Sequence, residues 1–235
     1  GDYLPMDAVF IDENGRETTL DEIIDRPTLL LPIYFYCPSS CSLNLVNLAT
    51  GLKKSQLRPG KDFKIIALSF NEEEDDENAR IAKRNYLRLL PKNFKENNWK
   101  FLTGSRDNIL AVTNAIGYTF KDQGDGTFIH PSALVAVAED GMIIKYVYGS
   151  FVPGDIDMAV VEAENKTPAM SVKRFLGYCF NYDPKESRTF FQNLKFSVLL
   201  GFAFFGVLFI VFVRRSKKRR SNGSDEDKKT GNQHD

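Results

Sequence analysis

An uninterrupted apolar run near the C-terminus sets the first limit on how this chain can fold. Phe196 to Val213 reads FSVLLGFAFFGVLFIVFV, eighteen residues without a charged side chain. As a helix rising about 1.5 Å per residue it extends about 27 Å, close to the thickness of the hydrocarbon core of a bilayer. Core helices of globular proteins seldom run so long without polar residues, so the run predicts a single transmembrane helix.

The charges beside this helix predict its orientation. Lys and Arg fill six of the seven positions from Arg214 to Arg220, directly after the apolar run. Positive charge concentrates on the cytoplasmic side of membrane helices. We therefore expect a single-pass protein of the cell (inner) membrane. Its C-terminus is expected to be cytoplasmic, and everything before Lys195 extracytoplasmic or periplasmic.

Composition divides the chain into four parts. We expect a folded domain over residues 1–166, a connector over 167–193, the membrane helix over 194–213 and a basic, disordered cytoplasmic tail over 214–235. Apolar residues make up 43% of the chain and charged residues 26%, with a net charge of zero. This composition is typical of globular proteins. No basic face interleaved with aromatic residues precedes the membrane helix, which excludes a nucleic-acid-binding class.

Strands and helices alternate through the first 166 residues. Ala8 to Leu20 predicts a β-hairpin with its turn at Glu13-Asn14-Gly15. The strands that follow are predicted at Thr28–Tyr36, Phe63–Phe70, Trp99–Leu102, Ser132–Ala138 and Met142–Tyr148. The helices are predicted at Cys41–Lys54, Asn78–Leu90, Ser105–Ile116 and Asp155–Asn165. Such alternation implies an α/β fold around a parallel sheet, and this element order is that of a thioredoxin-like fold with an N-terminal hairpin.

The sharpest local motif is Tyr36-Cys37-Pro38-Ser39-Ser40-Cys41, which follows a buried strand and opens a helix. Unpaired N–H groups and the helix dipole stabilise a thiolate at that end of a helix, so we expect Cys37 to titrate below the usual thiol pKa of about 8.5. The four-residue separation brings both sulfur atoms to one side of the first helical turn.

The cysteine pair leaves several chemistries open. It can form a structural disulfide outside the cytoplasm, or act as a redox dithiol, although thioredoxins have two intervening residues and this motif has three. A peroxidase cysteine requires a Thr where this chain has Tyr34. Thiolates also favour Cu(I), zinc or iron–sulfur clusters. Zinc sites with four Cys or two His ligands are excluded, because the domain and connector offer only Cys179 and His130 besides the pair.

His130 is the one histidine before the predicted membrane helix. It follows a loop rich in Gly and Asp, DQGDGTF, and directly precedes Pro131 and the apolar strand SALVAVA. In a thioredoxin-like fold this loop abuts the dithiol. Two thiolates and one imidazole make a three-coordinate copper site, so we take Cys37, Cys41 and His130 as candidate metal ligands.

Several segments together resemble the Sco/SenC family, in its bacterial branch with one C-terminal membrane helix. The resemblance covers most of residues 5–166, and residues 178–184 also resemble that branch. The segments that carry it are YCPSSC, DFKIIALSF, WKFLTG, FIHPSALVAVAEDG and YVYGSF.

This resemblance implies that a copper ion is bound by Cys37, Cys41 and His130. It also implies a role in assembling the dinuclear copper centre of cytochrome c oxidase subunit II, or of a related copper protein. Members are thought to deliver copper, to reduce the cysteines of the target, or both. In the second case Cys37 and Cys41 would act as a redox dithiol of a thiol–disulfide oxidoreductase.

The sequence departs from the common family pattern in three places. Ile129 stands where many members have Asp before the ligand histidine, which removes a candidate partner for the imidazole. Ser42 stands where many have Pro. Asn71 and the acidic run Glu72–Glu77 replace an Asp-Pro segment. We expect that run to be a solvated loop leading into a helix, or a docking surface for the partner.

Two further features of the sequence allow more than one interpretation. Tyr34 and Tyr36 precede the motif, and they either pack in the core or shield the metal. Cys179 has no obvious cysteine partner by count. It is a buried apolar thiol, an intermolecular bridge or a group that helps in the transfer to the partner.

Overall fold

The computed structural model describes residues 1–36 and 41–168, and of Cys41 and Ser42 it describes the backbone alone. The strands of this part are β1 Val9–Asp12, β2 Glu17–Thr19, β3 Thr28–Ile33, β4 Lys64–Ser69, β5 Trp99–Thr103, β6 Lys121–Asp122, β7 Phe128–Ile129, β8 Ala133–Val137 and β9 Ile143–Tyr148. The α-helices are α1 Leu20–Ile23, α2 Cys41–Lys54, α3 Asp76–Leu87, α4 Arg106–Ala115 and α5 Pro153–Glu164.

Seven of these strands form one mixed sheet in the order β2-β1-β5-β4-β3-β8-β9, and β6 pairs with β7 apart from it. The strands β3, β4 and β5 are parallel, whereas β8 pairs antiparallel with β3, and β1 pairs antiparallel with β5. Every residue of β3 and β8 is buried, as expected of strands covered on both faces. The predicted α/β order, with an N-terminal hairpin and a parallel core, is confirmed.

Pro32 lies inside a buried strand because of where the pairing of that strand ends. β3 pairs with β4 as far as Ile33, but its last pair with β8 joins Leu30 to Val135. The missing N–H of Pro32 therefore breaks no ladder on the β8 side. The carbonyl oxygen of Pro32 accepts a hydrogen bond from the hydroxyl of Tyr118 at 3.2 Å. A strand is thus compatible with Pro32, and it ends three residues before the predicted end.

The helix predicted at Asn78–Leu90 is placed differently in the structure. α3 begins at Asp76, after the N-cap residue Asp75, and ends at Leu87. The sequence predicts Ile81, Tyr86, Leu87, Leu89 and Leu90 on the apolar side of this helix. Tyr86, Leu87 and Leu90 do pack on the core, whereas Ile81 and Leu89 are 38% and 43% exposed, and Ala79, Ala82 and Lys83 are buried. Small side chains and the apolar stem of a lysine thus cover part of the sheet here, and hydrophobicity alone predicts the inner face of this helix only in part.

The remaining parts of the predicted architecture fall beyond this region. Every helix within residues 1–36 and 41–168 is too short or too polar to span a bilayer. The predicted membrane helix and basic tail, and the connector from residue 169 onward, lie outside the described residues. Their boundaries stay predictions.

Gly51 lets α2, the helix that begins at Cys41, pack closely against α5 and the residues before it. A β-carbon at position 51 would lie 2.7 Å from the carbonyl oxygen of Phe151 and 2.6 Å from Cδ1 of Ile156. Both distances are well below normal contact, and one of the atoms belongs to the backbone. The absence of a side chain at Gly51 therefore allows α2, which begins at Cys41, to pack this closely.

We expect Gly51→Ala to destabilise the domain by about 1–3 kcal/mol, because the added methyl group overpacks the contact between the helices. Gly154→Ala is the matched control, since Gly154 lies in α5 and a β-carbon there would have nothing within 4 Å. Because alanine has a higher helix propensity than glycine, Gly154→Ala should stabilise the domain by about 0.5–1 kcal/mol. Thermal unfolding of the full chain in detergent, followed by circular dichroism, measures both. Equal effects of the two substitutions would contradict the packing argument.

Candidate metal site

The site lies where β3 and β4 end and where the chain enters β8. Tyr34 directly follows β3, Phe70 directly follows β4, and His130 stands three residues before β8 begins. The ring centroid of His130 is 5.1 Å from that of Phe70 and 5.7 Å from that of Tyr34. The structure therefore places His130 at the strand end from which the chain continues to Cys37.

The three predicted ligands are described to different extents. Cys41 begins α2, as predicted, at the positive end of the helix dipole. Cys37 lies outside the described residues, as do Cys179 and His234. Within the described part of the chain, no three His, Cys, Asp or Glu side chains form a possible metal site. The ligand set of Cys37, Cys41 and His130 thus stays a prediction.

The hydrogen bonds of His130 fix its tautomer. Nδ1 lies 3.0 Å from the carbonyl oxygen of Pro131 and 2.9 Å from the hydroxyl of Tyr118. A carbonyl oxygen can only accept, so the proton of the neutral ring lies on Nδ1 and is donated to Pro131. The Tyr118 hydroxyl then has two carbonyl oxygens as acceptors, that of Pro131 at 2.9 Å and that of Pro32 at 3.2 Å. This arrangement leaves the lone pair on Nε2, the atom with which such a ring binds a metal ion.

The surroundings of His130 keep its ring neutral. The imidazole is half-buried against the rings of Tyr34 and Phe70, and Phe128 packs edge-on against both of those rings. Burial lowers the pKa of His130 below its ordinary 6.5, although the hydrogen bond to the Pro131 carbonyl acts in the opposite direction. A neutral ring is the form that ligates a metal.

Tyr118 is a functional candidate that the sequence interpretation missed. It follows α4, is 2% exposed, and brings its hydroxyl within hydrogen-bond distance of Pro32, Pro131 and His130. Ile129, which replaces the Asp of many family members, is 48% exposed. A tyrosine hydroxyl and a backbone carbonyl thus hold Nδ1, without a carboxylate from position 129. The sequence carries no local signal of this, because Tyr118, Pro32 and the pair His130-Pro131 lie in separate segments of the chain.

Glu74 is a second residue that the sequence interpretation missed. The acidic run was expected to be a solvated loop, which is wrong for Glu74, since it is 7% exposed. Its carboxylate accepts hydrogen bonds from the amides of Phe35 and Tyr36 and from the hydroxyl of Ser69. Burial raises the pKa of Glu74 above its ordinary value, although these hydrogen bonds act to lower it.

The two tyrosines before the motif have different environments. Tyr34 is 3% exposed and packs against His130 and Phe70, so it belongs to both the core and the site. Tyr36 is 81% exposed and directly precedes Cys37. An exposed aromatic ring beside the predicted ligand is available to a partner surface rather than to the core.

The donor set that these elements would bring together suits copper. A neutral imidazole with its lone pair on Nε2 and a cysteine at a helix N-terminus are soft or borderline donors, as Cu(I) and Cu(II) prefer. Nδ1 of the imidazole is held by a backbone carbonyl and a tyrosine hydroxyl. The residues therefore fit a copper ion.

Comparison with known proteins gives one family. A family model described as SCO1/SenC matches residues 6–162, about two thirds of the chain. A comparison with curated proteins found no match. Among solved structures, one from Aquifex aeolicus VF5, described as a candidate electron transfer protein, is 26% identical with a TM-score of 0.63. It covers 70% of this chain, and 94% of that protein is matched.

Two further solved structures share the fold at lower identity. ScoI of Arabidopsis thaliana with copper bound is 17% identical, with a TM-score of 0.56, over 71% of this chain and 98% of its own. BsSco, described as a member of the Sco family of cytochrome c oxidase assembly proteins with a disulfide switch, is 22% identical. Its TM-score is 0.53, over 70% of this chain and 95% of its own. The predicted thioredoxin-like fold is confirmed.

We expect Tyr118→Phe to loosen His130 without changing its tautomer. The substitution removes the hydroxyl that donates to the carbonyls of Pro32 and Pro131 and leaves a buried carbonyl short of a donor, which costs about 1–3 kcal/mol. The chain contains two histidines, so ¹⁵N-histidine labelling of the full chain gives two ring systems to follow by NMR. The Nδ1 proton of His130 should persist but exchange faster with water.

Tyr146→Phe is the matched control for this experiment. It also removes a tyrosine hydroxyl that donates to a backbone carbonyl, that of Ile116 at 2.8 Å. It should reduce stability to a similar extent and leave the His130 ring signals in place. A His130 ring protonated on Nε2 in the wild-type chain would show that the hydrogen-bond assignment is wrong.

Proposed function

The chain belongs to the SCO1/SenC family, and from that premise we propose that it binds copper through Cys37, Cys41 and His130. We further propose that it takes part in maturing the dinuclear copper site of cytochrome c oxidase subunit II or of a related copper protein. The resemblance seen in the motifs is confirmed by the family match. The ligands, the partner and the direction of transfer are the content of the proposal.

One observation carries the proposal: His130 is held neutral, protonated on Nδ1, at the end of the strand that leads to Cys37. A ligand needs a position at the strand end from which the chain enters the cysteine motif, whereas a purely structural histidine does not. The helix that begins at Cys41 supplies the second supporting feature, because its dipole favours a thiolate. Copper bound to the Arabidopsis ScoI is consistent with this chemistry on the same fold.

In the proposed reaction copper is a cargo, and the chain's residues hold and release it. The two thiols lose their protons when the metal binds, and the imidazole binds as the neutral ring. A three-coordinate site leaves room for an incoming ligand. Thiolates of the partner would then replace those of the chain one at a time, so the metal passes over without being free in solution.

A second candidate function is reduction of a partner's disulfide. The thiolate of Cys37 would attack one sulfur of that disulfide, and the other sulfur would leave as a thiolate. The thiolate of Cys41 would then attack the mixed disulfide, which yields a reduced partner and a Cys37–Cys41 disulfide. A cysteine at a helix N-terminus favours this function as well, and BsSco, on the same fold, is described as having a disulfide switch.

We also propose that the folded domain works on the extracytoplasmic side of the membrane. The uncharged run Phe196–Val213 and the basic residues after it support this orientation. A copper site of an oxidase subunit exposed on that side would then be within reach of the domain. The predicted membrane segment lies outside the described residues, so the proposal rests on sequence.

Copper titration of the full chain in detergent tests the leading proposal, with the cysteines reduced beforehand and the reductant removed before Cu(II) is added. We expect one copper ion per chain and sulfur-to-copper charge-transfer absorption with Cu(II). Cys37→Ser and Cys41→Ser should abolish that absorption, and His130→Ala should weaken copper binding by more than about a hundredfold, beyond the loss seen for outer partners of metal ligands. Cys179→Ser and His234→Ala are matched controls that should bind like the wild-type chain.

The same variants separate the two candidate functions. If the chain works by reducing a partner, His130→Ala should keep most of the reductase activity on a model disulfide, while either cysteine substitution removes it. If the wild-type chain retains no copper, the leading proposal is wrong and the dithiol function stands alone.

A further inference from the structure

We propose that Glu74 is a positioning residue for the copper site, because its carboxylate holds the two backbone amides that precede Cys37. This inference rests on the proposed function, since it assigns a role in the same site. The hydrogen bonds of Glu74 reach Phe35, Tyr36 and Ser69. It would act through the chain segment that carries the first ligand.

The geometry is a fork across two consecutive peptide groups. The amide of Phe35 donates to Oε2 of Glu74 at 2.8 Å, and the amide of Tyr36 donates to Oε1 at 2.6 Å. The hydroxyl of Ser69, the last residue of β4, donates to Oε2 at 2.6 Å. Both carboxylate oxygens are therefore engaged, and both peptide planes are oriented by one side chain.

The position of these amides explains why a carboxylate is needed. In an extended strand, consecutive amides point to opposite sides, so one group cannot accept from both. Here the chain bends at Phe35 and Tyr36, two residues after β3 ends, and both amides point to the same side. Convergent amides of this kind form a concave site for an anion. Glu74 supplies that anion from within the chain.

The charge of Glu74 also bears on the site. Among the described residues no Lys or Arg forms an ion pair with it, so its hydrogen-bond donors are neutral amides and a hydroxyl. A negative charge bound to the residue before Cys37 favours a cation in the site over the empty site. The hydrogen bonds of Glu74 to the backbone and its negative charge thus both predict weaker copper binding when the carboxylate is removed.

Glu74→Gln and Glu73→Gln form the test pair. Glutamine keeps the size of the side chain, but its –NH₂ group cannot accept from an amide, so one branch of the fork is lost. Glu73 is the exposed neighbour in the same acidic run, and its substitution removes the same charge. Both variants are made in the full chain, and copper is the probe.

Two measurements are taken on each variant. Amide hydrogen exchange of Phe35 and Tyr36 in the copper-free chain reports the fork, and we expect it to be at least about tenfold faster in Glu74→Gln. Competition with a copper chelator reports affinity, which should fall by about 10- to 100-fold, with a shifted charge-transfer band. Glu73→Gln should match the wild-type chain in both measurements.

A folding defect in Glu74→Gln would be seen by circular dichroism, and Ser69→Ala then serves as the second variant. It removes one donor to the carboxylate and leaves both amides in place, so it should shift the copper signals in the same direction by a smaller factor. A wild-type copper affinity and spectrum in folded Glu74→Gln would overturn this inference alone. A wild-type chain that retains no copper would overturn the proposed function as well.

Discussion

The termination of β3 inside the protein is the constraint from which the arrangement of the site follows. Where a buried strand leaves its sheet, each backbone N–H and C=O must find a new partner, because an unpaired buried group costs as much as a lost hydrogen bond. The carbonyl of Pro32 accepts a hydrogen bond from the hydroxyl of Tyr118, and that of Ile33 accepts one from the amide of Phe70. The amides of Phe35 and Tyr36 donate to the carboxylate of Glu74. The groups that satisfy the strand end therefore also contact His130 or hold the two residues that precede Cys37 in the chain.

Much of the fold could be predicted because its signals are local. Apolar runs mark the buried strands, Ser105 caps α4 as its position in the sequence indicates, and Gly15 and Gly141 adopt the positive φ angles that their turns require. The start of α2 at Cys41 also follows from sequence. His130 could be placed by element order, since a loop that enters a neighbouring strand antiparallel to β3 must lie near the end of β3.

The residues that the sequence did not reveal are those whose role depends on distant backbone groups. Glu74 stands in an acidic run in which every side chain looks equally solvated, and only the two amides at the end of β3 distinguish it. In the sequence Tyr118 looks like one more aromatic residue of the core, but its hydroxyl contacts two other segments, at Pro32 and at His130-Pro131. Lys83 is buried in α3 because it pairs with Glu13 at 2.6 Å, so a charged residue faces inward where an isoleucine does not.

The replacement of Asp by Ile129 can be compared with the presence of Glu74, because both concern where negative charge lies around the proposed site. A carboxylate on Nδ1 would make the imidazole more basic and add negative charge on the histidine side of the site. In this chain a carbonyl and a hydroxyl, both neutral, hold Nδ1 instead. The buried negative charge lies on the cysteine side, at the amides before Cys37. The protein thus keeps an anion next to the proposed copper site while leaving the imidazole a neutral and weaker donor, which is suited to a ligand that must let its metal go.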